Sequence, residues 1–351
     1  MKKRSYGLLA VTAALALGLT GCSGSSGGSS GGSADTAKGG KSSVALAVNG
    51  ALGDQGFFDD AERGMQQLKK EGHKTQTLQA DASNPAQWKS NLESISTGNW
   101  DIAIAGTSQM TDIMTAAAKK FPNQKYIIFD SVVKGPNVAS ITYKQNEGSF
   151  LAGVLAALAS TDTKSFPLSK DTKTLGVVGG MDIPVINDFV VGFKAGVKAV
   201  DPGIKTEVSY VGSFSDSAKG YDQAKAMYGN GADVVFQVAG GSGIGVLQAA
   251  KDANKYAIGV DSNQNALQPG HVLASMLKHV GNSLVLAVDA AQDGKLKYGQ
   301  TTSYGLANNG VGLDFGDNSD LVPDAIVKKI DDYKQQVVDG KLTVPNAAGS
   351  E

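Results

Sequence analysis

The stretch NGALGDQGFF, residues 49–58, gathers an amide, an acid and two adjacent aromatic rings in one glycine-rich loop. Asn49 can donate and accept hydrogen bonds, ionised Asp54 can only accept, and Phe57 offers a flat apolar face. Together these groups suit recognition of a polar, hydroxyl-bearing molecule with a flat apolar portion. Similar residue types recur downstream, each just past a short apolar run. Thr107, Ser108 and Gln109 follow IAIAG, Asp130 follows YIIF, and Phe214 follows VSYVG. Gly240, Gly241 and Gly243 follow VVFQVA, Asp261 follows AIGV, and Lys278 follows VLASML.

The apolar runs belong to a regular alternation. VALAV (44–48) is followed by the loop and then by a helical pattern to about Glu71, with Ala61, Met65 and Leu68 on one face. HKTQTLQA reads as a strand, and NPAQWKSNLESIS as a helix with Asn84 at its N-cap and Pro85 at its first position. DIAIAG and KYIIFD are strands around a helix that Pro122 ends. After the apolar helix EGSFLAGVLAALAS the alternation restarts, from TLGVVGG to YAIGVDS. Helices of this length between short apolar strands require parallel sheets with right-handed crossovers. Two series predict an α/β protein of two doubly wound parallel-sheet lobes. Ligands of such sheets bind beyond the C-terminal ends of the strands, so the residues named above would meet in a cleft between the lobes.

Composition narrows the chemistry. The 351-residue chain has net charge −1 and a pI near 6.3, which gives no sign of a nucleic-acid partner. Its only arginines are Arg4 and Arg63, which argues against an anionic ligand gripped by guanidinium forks. His73, His271 and His279 have no metal-ligand spacing and read as surface or internally satisfied residues. No metal and no cofactor is expected. GGSGIGV fails the dinucleotide fingerprint, because Val246 stands where its last glycine should be. Its glycines suit a strand-to-helix turn. Asp59 and Asp60 suit the first turn of a helix through its dipole; a metal-binding acid pair is the alternative. Phe58 reads as a staple for that helix. A sugar site would favour stacked tryptophans, but Trp88 and Trp100 fall away from the strand tips.

The N-terminus reads as an address. MKKRSYG is basic, and LLAVTAALALGL is an apolar run of about a dozen residues, too short to span a bilayer. The run ends in LTGC, which is similar to the lipobox of bacterial lipoproteins and so implies cleavage before Cys22 and lipidation of its thiol. Residues 23–43 are nearly devoid of apolar side chains and read as a flexible tether with a reach of roughly 25 Å. Loss of Lys2, Lys3 and Arg4 would take the net charge from −1 to −4.

The segments LGDQGFFDDAERGM, NEGSFLAGVLAAL, GGMDIPVINDFVVGFKAGVKAVDP, YVGSFSD, GVDSNQ and LASMLKHVGNSLVLAV, in this order, resemble the basic membrane protein family. These are substrate-binding lipoproteins of ABC transporters, typified by a purine nucleoside receptor. The resemblance runs from about Ser43 to Leu342. It implies a type I periplasmic-binding-protein fold with a three-stranded hinge, and a binder rather than an enzyme. Phe57 and Phe214 would stack on the two faces of a base, Asp130 would meet its edge, and Asp261 and Lys278 would take the ribose hydroxyls. Gly240 would let backbone approach the ligand, and Asp54 would orient or accept from ligand groups. Asn49 stands where the family often has aspartate, Phe58 where it commonly has asparagine, and Gly56 where serine is common. The expected organisation is a signal peptide at 1–21, Cys22 with its tether to 43, a first lobe of 44–141 plus 262–297, and a second of 142–261 plus 298–345. The expected partners are a nucleoside, ABC permease subunits and a membrane reached through the lipid. A sugar or signalling ligand on the same fold, and a secreted nucleoside hydrolase, are the alternatives.

Overall fold

The computed structural model describes residues 40–316 and 320–347. The expected signal peptide, Cys22 and the tether as far as residue 39 lie outside the described residues. The tether's last residues are part of the fold. Ser42 donates from its amide and hydroxyl to Gln292 Oε1 (2.9 and 2.6 Å), and Ser43 does the same to Asp101 Oδ2 (2.7 Å each).

The first sheet contains β1 (Ser43–Ala47), β2 (Lys74–Leu78), β3 (Ile102–Gly106), β4 (Lys125–Phe129), β5 (Val138–Tyr143) and β11 (Thr301–Tyr304), ordered β11-β5-β4-β3-β1-β2 and parallel throughout. The second contains β6 (Thr174–Gly179), β7 (Lys205–Tyr210), β8 (Val234–Val238), β9 (Tyr256–Asp261), β10 (Val272–Lys278) and β12 (Val311–Asp314), ordered β12-β10-β9-β8-β6-β7. Only β12 is antiparallel to its neighbour. Parallel strands covered on both faces must be apolar all along, and β1, β3, β8 and β9 are almost wholly buried.

The helices are α1 (Phe57–Lys70), α2 (Pro85–Ile95), α3 (Thr111–Lys120), α4 (Gln145–Thr161), α5 (Pro184–Val200), α6 (Ser217–Gly229), α7 (Gly243–Asp252), α8 (Val280–Gln292) and α9 (Asp324–Val338). Among the described residues no helix is long and apolar enough to cross a membrane. Asn84 caps α2 by accepting from Gln87 N at 3.1 Å, with Pro85 at the first position, as its sequence requires. α1 buries Ala61, Gly64, Met65 and Leu68, the face its 3.6-residue period predicts. It lies so close to α8 that a Cβ on Gly64 would sit 2.5 Å from the Gly281 carbonyl oxygen. Asp60 Oδ2 also accepts from Gly281 N at 2.8 Å. These contacts fix the N-terminus of α1, where Phe57 begins.

The expected partition of the chain needs correcting at its C-terminal half. Residues 262–297 do not stay together: β10 pairs with β9 in the second sheet, whereas α8 packs on α1 of the first lobe. β11, expected in the second lobe, pairs with β5 of the first. The burial requirement explains the split. β10 is buried along its length and needs a strand on each side, while polar TTSY is content at an exposed edge. Among the described residues the chain therefore crosses between sheets at Lys144, at His279 and within 305–310. Lys144 N donates to Tyr304 O (2.7 Å) and His279 N to Gly310 O (3.0 Å), so the crossings are tied to one another.

Candidate functional site

The C-terminal strand ends of both sheets open on one cavity of about 790 Å³. Asn49, Asp54, Phe57, Asp130, Phe214, Gly240, Asp261 and Lys278 all line it. All eight sites read from the sequence therefore converge, although they span more than two hundred positions and both lobes.

The first lobe supplies a braced loop. Asp54 accepts from the backbone N–H groups of Gly56 (3.0 Å), Phe58 (2.9 Å) and Asp59 (3.1 Å), which are unsatisfied donors at the start of α1. Its carboxylate thus shapes the loop at the cavity's edge. Burial pushes its pKa up, and these amides pull against that shift. Asp59 accepts from Gly53 N (2.7 Å) and Gln55 N (2.9 Å), so it braces the same turn. Phe58 packs over Gly50, where a Cβ would lie 2.6 Å from its ring, and it lines the cavity as well. Phe57 rests against Phe129 at 5.6 Å between ring centroids and edge-on to Phe58 at 5.4 Å.

Behind the loop, Asn49 donates to Gln109 Oε1 (3.0 Å) and accepts from Thr107 Oγ1 (3.2 Å). Thr107 adopts φ 77° and ψ 154°, a region that β-branched residues almost never enter. Asp130 (φ 58°) and Asp261 (φ 65°) are also left-handed. Such conformations cost about 1–3 kcal/mol each and cluster at ligand sites. Here all three occupy strand ends that face the cavity.

Lys278 forms the floor. Its side chain is 2% exposed, its ammonium pairs with Asp130, and it lies 5.2, 5.0 and 5.3 Å from the ring centres of Phe57, Tyr143 and Phe189. Asp130 is held up in pKa by burial, opposed by the Lys278 charge. Asp261 is pushed up to about 7, first by burial, then by Asp54, Asp130 and Asp60, against the pull of Lys278. Among the described residues no group of the protein hydrogen-bonds the Asp261 carboxylate, which leaves it open to a ligand. Among the described residues four aspartates and one lysine line the cavity, so it disfavours anions and suits a neutral ligand rich in donors.

The second lobe supplies surfaces of another kind. Phe214 lies over Gly180, where a Cβ would be 2.3 Å from its ring, and beside Gly240, whose φ of 55° suits a residue without a side chain. Gly240–Ser242 form a short 3-10 turn before α7, so the glycine run is the strand-to-helix turn the sequence suggests. Met181, Ile183, Val185, Ile186 and Phe189 complete an apolar wall. The strand-tip rule applied to β6 would have found Met181 and Ile183, whereas Phe189 lies inside α5 and gives no such signal. Neither tryptophan lines the cavity; Trp88 is a core residue whose Nε1 donates to Asp81 O (2.7 Å).

The lobes also touch directly. Ser262 Oγ donates to Gly56 O (3.0 Å), Gln264 Nε2 donates to Gln55 O (3.1 Å), and Arg63 reaches Ser262. One expectation about histidine fails. His73 is neither at the surface nor fully satisfied: it is buried, and its Nε2 has no hydrogen-bond partner among the described residues.

Comparison with known proteins places these features. Residues 41–348 match the Bmp family model, described as ABC transporter substrate-binding protein PnrA-like. The chain is 34% identical over 367 residues to the ABC transporter nucleoside-binding protein BmpA of Lactococcus lactis, covering 99% of this chain and 100% of that one. It is 30% identical over 313 residues to basic membrane protein A of Borreliella afzelii, covering 87% and 92% of the two chains. Among solved structures, a solute-binding protein of an ABC transporter system from Aeropyrum pernix superposes with a TM-score of 0.76 at 23% identity, over 86% of this chain and 93% of that one. That match speaks for the two-lobed solute-binding fold alone. With the family model matching from the first described strand to the C-terminal segment, the chain belongs to the Bmp family of PnrA-like substrate-binding proteins of ABC transporters.

Proposed function

We propose that this protein captures a nucleoside, preferentially a purine nucleoside, in the cavity between its lobes and delivers it to an ABC permease. The observation that carries the reading is one cavity of about 790 Å³ lined by a phenylalanine from each lobe, Phe57 and Phe214, with open or buried carboxylates at its floor. A nucleobase is flat on two faces and a ribose carries hydroxyl donors. Phe57 and Phe214 take the base, Asp130 meets its edge, and Asp261 and Lys278 take the ribose. Asp54 acts through the loop that it shapes, and Asn49 through its amide network with Thr107 and Gln109. Gly240 keeps the wall beside Phe214 low. Among the described lining residues Lys278 has no second cation beside it, and this and the name of the Lactococcus relative both favour a neutral nucleoside over a nucleotide.

The same reading includes an anchor and a hinge. Cys22 carries the lipid, and the segment between it and Ser42, where the fold begins, tethers the folded part to the extracytoplasmic membrane surface. The three crossings between the sheets flex, and the lobes close on the ligand so that a permease can sense occupancy. A thermal-shift screen of the purified protein against nucleosides, free bases, nucleotides and sugars tests the ligand class. The expected result is stabilisation by purine nucleosides above all others; stabilisation by sugars alone overturns the reading. Cys22→Ser is expected to leave an uncleaved precursor or release the protein from membranes, and normal membrane retention of that variant would contradict the anchor.

A further inference from the structure

At the opposite end of the first sheet from the cavity, three side chains converge that the binding site does not use. Glu71 closes α1, His73 precedes β2, and Asp289 lies in the last turns of α8. One donor atom from each lies within 4.8 Å of the other two. His73 is 3% exposed. Its Nδ1 is 3.0 Å from the carbonyl oxygen of Ser42, an acceptor, so the ring proton sits on Nδ1 and faces that oxygen. The other nitrogen, Nε2, then carries a lone pair, is buried, and has no hydrogen-bond partner among the described residues. A buried acceptor left bare costs free energy unless something fills the position. It is also how metal-ligating histidines are prepared, because a backbone carbonyl on one nitrogen fixes the tautomer that offers the other.

We propose that Glu71, His73 and Asp289 form a divalent metal site, with zinc the preferred ion. One imidazole and two carboxylates supply three protein ligands, and water completes a tetrahedral shell. Imidazole selects against calcium and magnesium, which take oxygen ligands. A tetrahedral zinc about 2.1 Å from each donor holds the donors roughly 3.4 Å apart. The carboxylates need only close inward, and both are partly accessible at the surface. The ion would join the α1–β2 turn to α8. Its second shell would include Ser42, which also donates to Gln292 on α8. Ser42 is where the N-terminal segment enters the fold, so the site would staple the first lobe at its point of attachment and leave the ligand cleft untouched.

The test uses the purified chain after chelation and dialysis, titrated with zinc chloride by calorimetry and followed by thermal unfolding. The expected result is saturable binding of one zinc per chain with a rise in melting temperature, and no comparable response to calcium or magnesium. Glu71→Gln and Asp289→Asn keep shape and remove one ligand charge each, so each is expected to weaken zinc binding by about tenfold or more. Both are expected to fold and to respond to nucleosides as the parent does. Cobalt substitution followed by X-ray absorption is expected to report one imidazole in the shell. The proposal is overturned by absence of stoichiometric zinc binding, by calcium binding as tight as zinc, or by undiminished zinc binding in both variants.

Discussion

The two walls of the cavity solve different problems. The first-lobe wall is a braced polar edge: Asp54 and Asp59 are occupied with backbone amides, and Asn49, Thr107 and Gln109 hold one another. The second-lobe wall is smooth: Phe214 lies over Gly180 and Gly240 beside an aliphatic surface from the β6–α5 segment. One wall fixes hydrogen-bonding groups in place, and the other supplies area. Lys278 joins them, because it rises from β10 of the second sheet and pairs with Asp130 at the end of β4 in the first, and Asp261 at the end of β9 adds a second-sheet carboxyl to the floor. Specific recognition on this account belongs to the first wall and to the floor, whereas the second wall contributes burial.

The largest effect should come from removing the residue that joins the walls. Lys278→Met strips the buried Asp130 carboxyl of its partner, and should cost about 3–5 kcal/mol of stability. Denaturant unfolding measures it, and adding Asp130→Asn should recover part of the loss. No recovery in the double variant would mean that the pair is not the reason.

Asp54→Ala comes next, because it strips the acceptor from three amides at the α1 N-terminus. Unsatisfied donors cost about 1–3 kcal/mol when buried, less here where water can enter. The loss of affinity should exceed the loss of stability, since the loop carries Phe57. Calorimetry paired with unfolding distinguishes the two, and a variant that binds as the parent does would contradict the braced-edge description.

Asp261 gives a pH test. Its carboxyl is raised to about 7 from an ordinary 3.8, so between those values the folded state keeps a proton that the unfolded chain has lost. Its contribution to stability is therefore fully present below about pH 4 and fades as pH rises to about 7. Asp261→Asn should flatten that part of the stability profile. Ribose hydroxyls donating to the carboxylate would favour its charged form, so nucleoside binding near pH 7 should release protons and tighten as pH rises. Calorimetry in buffers of different ionisation enthalpy reads the proton count, and proton uptake would contradict the assignment.

The smallest effect concerns strain. Thr107→Gly relieves a backbone conformation worth about 1–3 kcal/mol, part of which the added freedom of the unfolded chain cancels. The variant should unfold at a slightly higher temperature yet bind more weakly, because Asn49 loses a partner. A lower melting temperature would mean that Thr107 is not strained in its setting.

Much of this arrangement is visible in the residues themselves. Period-2 and period-3.6 patterns mark the strands and helices, and the strand-tip rule finds Asn49, Asp130, Phe214 and Asp261 because parallel sheets always present those positions to one side. Pairing is harder to see. Nothing in VLASMLK or TTSY states which sheet each will join, since that depends on the neighbours each strand can bury against. Phe189 gives no signal for a similar reason: a buried phenylalanine in a helix looks the same whether it faces the core or a cavity. The bare nitrogen of His73 also depends on three-dimensional placement, because Asp289 lies more than two hundred residues away in the chain.

The most direct test of the central claim is calorimetric titration of the parent, Phe57→Ala, Phe214→Ala and the double variant with a purine nucleoside and with its free base. If one ring from each lobe holds the base, each single variant should lose about 1–3 kcal/mol of binding free energy for both ligands. The double variant should lose less than the sum, because each ring is most effective when the other closes the opposite face. Parental affinity in both single variants, or tighter binding of a sugar than of any nucleoside, would contradict the account.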